Sequence, residues 1–102
     1  MLTAPGRLQL SALRGLWGNV TPDLRKVSIE FKENTIYMYF YYDKEVTPEV
    51  EELAEDSVTE VISDYPDTVQ IESEIMVVNY PEKINHKGYL IYYRYEPTPS
   101  NP

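Results

Sequence analysis

Between Thr47 and Tyr65 the sequence commits to a helix, and the rest of the chain has to cover one side of it. Thr47 is an N-cap, Pro48 suits the first helical position, and Glu49 sits beside the positive end of the helix dipole. Val50, Leu53, Ala54, Ser57, Val58, Val61 and Ile62 recur at i, i+3 and i+4, a stripe that must pack on a sheet. Pro66 then forbids continuation.

The sheet is legible on either side. Val27, Ile29 and Phe31 alternate with Lys26, Ser28 and Glu30, a period of two that predicts a strand with one buried face. Glu33 and Asn34 supply a tight turn. In TIYMYFYYD, Ile36, Met38 and Phe40 fall on one face and Tyr37, Tyr39 and Tyr41 on the other, so the two runs form a hairpin. Upstream, RLQLSALRGLW places Leu10, Leu13, Leu16 and Trp17 at helical spacing, with Arg7 and Arg14 facing water. That first helix ends near Trp17, where Gly18 and Asn19 suit a left-handed cap. Two further strands are expected at about 68 to 78 and 88 to 95, joined by a loop holding Pro81, Asn85 and Gly88.

The expected fold class is therefore α+β, a two-layer sandwich in the order α-β-β-α-β-β. Hairpin connections predict a mostly antiparallel four-stranded sheet with both helices on one face. Residues 1–6 and 97–102 read as flexible termini around a single domain over 7–96. A chain of 102 residues leaves no room for a second independent core, and 42% hydrophobic with 13% aromatic residues is a folding composition.

Several function classes recede on composition. There is no cysteine, so disulfides and thiolate metal sites are excluded, and the single histidine, His86, lies in a polar loop with no nucleophile arranged beside it. Glu51, Glu52, Glu55 and Asp56 could suggest a cation site, but the segment lacks the glycine and carbonyl ligands of a calcium loop. No metal, cofactor or catalytic residue is assigned, and an enzyme is not expected. No apolar run approaches the roughly 20 residues of a membrane helix, and a cytoplasmic location is the simplest expectation.

The formal net charge of −8 disfavours direct binding to nucleic acid or to a membrane surface. It is also concentrated. Residues 43–67 hold ten carboxylates and one lysine, whereas the remainder holds seven acids against eight Lys or Arg. Like charges such as Glu52 with Glu55 and Asp56 with Glu60 each cost an isolated helix a few tenths of a kcal/mol. The bland reading is a solvated helix face. The functional reading is a negative surface, carried by Glu49, Glu52, Glu55, Asp56 and Glu60, that steers and holds a basic protein partner. Ten tyrosines give a second candidate surface at Tyr37, Tyr39 and Tyr41, provided that this sheet face is open.

The run LRGLWGNVTPDLRKVSIEF, together with TIYMYFYYD and VTEVISDYPD, resembles short acidic bacterial proteins of the kind found as immunity proteins beside toxins, including those of contact-dependent growth inhibition systems. The resemblance covers nearly the whole domain. It implies a protein that binds the C-terminal domain of a cognate toxin, commonly a nuclease, and blocks its active site or substrate surface. The alternative is a structural or regulatory adaptor, a homodimer through the Tyr-rich sheet face.

Overall fold

The computed structural model describes residues 6–97. The elements run α1 (Gly6–Leu16), β1 (Leu24–Lys32), β2 (Thr35–Tyr42), α2 (Pro48–Ile62), β3 (Gln70–Val77) and β4 (Tyr89–Tyr93). Of the expected terminal residues, Gly6 is helical and the Pro97 carbonyl accepts the Tyr80 hydroxyl, whereas 1–5 and 98–102 lie outside the described ones.

β1 and β2 form the expected hairpin, with Phe31 opposite Ile36 and Lys32 opposite Thr35. Its two-residue loop, Glu33 and Asn34, has φ of 53° and 58°, the doubly left-handed turn whose twist matches paired strands. Two of the three pairings are antiparallel, as expected of most of the sheet, but the third corrects the expectation. The strand order is β3-β2-β1-β4, with β4 antiparallel to β1 but β3 parallel to β2, so the sheet is mixed. The reason is α2. A parallel neighbour needs a crossover long enough to run back along the sheet, and the helix between β2 and β3 is that crossover.

This topology puts β3 and β4 at opposite edges, so residues 78–88 must cross the sheet to join them. Gly88 makes the arrival at β4, with φ of 70° and so little room that a Cβ there would stand 2.4 Å from the Ile29 carbonyl oxygen. The crossing segment carries Ile84 onto Tyr39 and Tyr41, making a small second apolar cluster with Tyr37, Met76 and Val78.

The main core lies on the other face. Val27, Ile29, Ile36, Met38, Phe40 and Tyr42 of the sheet meet Leu8, Ala12 and Leu16 of α1 and Ala54 and Val61 of α2. Each large apolar side chain buried there contributes about 1.5–3 kcal/mol. Burial without charge compensation pushes the Tyr42 hydroxyl up to about 12.

α1 does not bury the face its leucines suggest. The buried residues are Leu8, Ser11, Ala12, Gly15 and Leu16, while Leu10, Leu13 and Trp17 are exposed. Small residues explain the choice, since they let the two helices approach. A Cβ on Gly15 would lie 2.9 Å from the Ser57 carbonyl oxygen and 3.0 Å from Val61 Cγ2. Larger side chains on this line would hold the helices apart.

Candidate functional site

α2 begins as its sequence dictates. Thr47 is extended at φ −81°, ψ 162°, and its hydroxyl accepts the Val50 N–H at 3.2 Å. The inward stripe centres on Ala54, Ser57 and Val61, with Val50 and Val58 packed at its margins. Glu49, Glu52, Glu55, Asp56 and Glu60 are all exposed. Steps of three, four and four residues place Glu49, Glu52, Asp56 and Glu60 in one row along the helix, with Glu55 beside it. None of the five forms an ion pair among the described residues.

Not every acid of the charged segment is free in this way. At the C-terminal end of α2, Asp64 Oδ2 accepts the Ser11 hydroxyl at 2.6 Å and Arg14 Nη2 at 3.1 Å. Arg7 donates to the Asp64 carbonyl oxygen at 3.2 Å and lies over the Tyr65 ring. Arg7 and Arg14 therefore tie α1 to the end of α2, where the sequence suggested that they merely face water. The Ser11 hydrogen bond, helped by the Arg14 and Arg7 charges, holds the Asp64 carboxyl below the usual range.

Asp43 is also committed. Its Oδ1 accepts the Tyr80 N–H at 2.9 Å and its Oδ2 accepts Arg94 Nη2 at 3.0 Å. Arg94 donates in turn to Glu96 at 2.9 Å and to the Pro22 carbonyl at 2.6 Å. Glu96 also takes a forked pair from Arg25, at 2.6 and 2.8 Å, while Arg25 Nη1 reaches the carbonyls of Val78 and Glu82. Arg25 is only 4% exposed. The Arg25 hydrogen bonds, followed by those from Arg94, keep the Glu96 carboxyl below its usual range.

The tyrosine face is not the open row that the sequence suggested. Tyr39 and Tyr41 are 8% and 3% exposed, and Tyr37 is half-buried. The Tyr41 hydroxyl accepts the Lys87 N–H at 2.9 Å, and the Tyr39 hydroxyl donates to Glu30 at 2.7 Å. Burial, then the Glu30 hydrogen bond, raises the Tyr39 hydroxyl far above its ordinary value. Lys87 closes the edge of this face, with its ammonium over the Tyr39 ring and 3.5 Å from Glu74. His86 lies half-buried in the crossing segment, where desolvation and then the Lys26 charge disfavour its protonation. Among the described residues no three His, Asp or Glu side chains converge as a metal site, and no helix is long and apolar enough to cross a membrane.

One exposed feature escaped sequence reasoning. Trp17, 77% exposed, stands at the end of α1 between two open cavities. One, of about 410 Å³, is apolar and includes Leu13, Val20 and Tyr92, whereas the other, of about 290 Å³, includes Arg14, Glu60 and Asp64. The signal was present in Ser11, Ala12 and Gly15, small residues in line with Leu8 and Leu16, which mark a close helix contact and turn Trp17 outward.

A family model described as MafI2 immunity protein matches residues 5–96. No curated protein matches the chain.

Proposed function

The chain belongs to the MafI2 immunity protein family, and from that premise we propose that it binds a cognate bacterial toxin domain and neutralises it by covering a basic surface. The observation that carries the reading is the exposed row on α2. Glu49, Glu52, Asp56 and Glu60, with Glu55 at the side, have no ion pair among the described residues, so their charge is left for a partner. A nuclease is the proposed toxin class, because a cleft that binds nucleic acid is basic and an acidic helix laid over it excludes the substrate without chemistry. The proposed setting is the cytoplasm, with the toxin's C-terminal domain arriving through a contact-dependent growth inhibition system or a comparable one.

Complementary charge acts first on encounter, raising association rates above the roughly 10⁵–10⁶ M⁻¹s⁻¹ of neutral docking. Titrating the purified protein with the terminal domain of the toxin encoded beside it tests the reading. We expect a tight complex whose association slows with added salt. Reversing charge at Glu49, Glu52 and Asp56 together should slow association and flatten its salt dependence. An unchanged rate and salt slope would remove α2 from the interface.

The homodimer reading finds less support, because the tyrosines it would use are covered by residues 78–88.

A further inference from the structure

We infer that Trp17 anchors the toxin interface, receiving an arginine or lysine side chain whose charged head pairs with Glu60 and whose aliphatic stem lies on the indole. The inference rests on the immunity reading and names where within the interface the tightest contact falls. Three observations converge on it.

First, Trp17 is the only tryptophan in the chain, and it is left 77% exposed although burying such a side chain is a large apolar gain. Tryptophan at the centre of an interface is the residue most enriched among binding hot spots.

Second, Trp17 lines two unlike cavities. Leu13, Val20 and Tyr92 line the apolar one, which suits a hydrocarbon stem. In the other, Arg14 and Asp64 answer each other at 3.1 Å, leaving Glu60 as the carboxylate without an ion pair among the described residues. An aromatic face beside an unpaired carboxylate is the chemistry that recognises a cation.

Third, Glu60 is the last member of the acidic row, so this groove continues the charged surface. A second copy of the chain is a poor occupant. The four arginines already donate to carboxylates or carbonyls of their own chain, so only a lysine of a second copy could enter, and two copies of net charge −8 repel. Charge complementarity instead favours a basic protein as the source of the cation.

The lone tryptophan makes the test direct. The protein is prepared with 5-fluorotryptophan, giving one ¹⁹F resonance, and titrated with the unlabelled terminal domain of the adjacent toxin. The resonance should shift or broaden with saturation of the complex. Trp17→Ala should weaken affinity by at least about thirtyfold, and Glu60→Gln by a smaller factor, with circular dichroism unchanged because both side chains are exposed. A resonance that stays put while the complex forms would overturn the inference. Unaltered affinity of Trp17→Ala would do the same, and if the Glu49, Glu52 and Asp56 reversal still weakened binding, the immunity reading would stand without it. A resonance that moves on concentrating the labelled protein alone would assign the groove to a second copy and likewise overturn it. Failure of the wild-type protein to bind any domain of that toxin would overturn the immunity reading together with the inference.

Discussion

The carboxylates of this small protein fall into two populations. Glu96 and Asp43 sit in a cluster where every oxygen answers an arginine or a backbone amide, and the buried Arg25 depends on them. The row on α2 faces solvent with no ion pair among the described residues. The first population ties the segment after β4 to the sheet, since Glu96 follows β4 and reaches Arg25 on β1 and, through Arg94, Asp43 after β2. The second costs the isolated helix a little in like-charge repulsion. The proposed binding role of α2 rests on charge kept without that structural return.

The comparison breaks most visibly at Glu96. Glu96→Gln leaves the Arg25 guanidinium buried without its counter-charge, and a loss of about 3 kcal/mol in urea unfolding is expected. A loss under about 1 kcal/mol would place this cluster with ordinary surface pairs.

Acid sharpens the contrast next. Glu96 and Asp43 resist protonation in the folded state, Glu96 chiefly through Arg25 and Asp43 chiefly through the Tyr80 N–H and Arg94. Their contribution is complete above the usual carboxylate range near pH 4 and drains away as pH falls through their lower folded values. Thermal unfolding between pH 7 and pH 2 should therefore lose stability at the acid end, with a smaller loss in Glu96→Gln than in the wild type.

Asp64→Asn, at the more exposed tie between α1 and α2, should lower the melting temperature by less than Glu96→Gln. The smallest effect belongs to α2 itself. Replacing Glu52 and Asp56 by lysine removes like-charge neighbours at i, i+3 and i+4 and should raise stability by about 0.2–0.5 kcal/mol for each repulsive pair relieved. A clear destabilisation would show that the row does serve the fold.

The sequence carried much of this architecture because the signals were local. The Thr47 cap, the α2 stripe, the Glu33–Asn34 turn and the alternation of β2 are each decided within a few residues. Two features depend instead on contacts between distant residues. In α1, hydropathy favoured Leu10, Leu13 and Trp17, but the buried line runs through Ser11, Ala12 and Gly15, which are chosen for closeness to α2 rather than for apolar area. The pairing of β3 with β2 was hidden because a parallel partner and a hairpin partner look alike along the strand itself. The acidic row is legible as a surface, whereas the exposure of Trp17 follows from the close α1–α2 contact, which its hydropathy does not reveal.

The segment that crosses the tyrosine face has a consequence for how the molecule opens. Because residues 78–88 start at one edge strand and end at the other, lifting Ile84 from Tyr39 and Tyr41 loosens the attachments of both β3 and β4. The two edges, although separated by the central hairpin, should then exchange their amide hydrogens as one cooperative unit, while β1 and β2 exchange only through global unfolding.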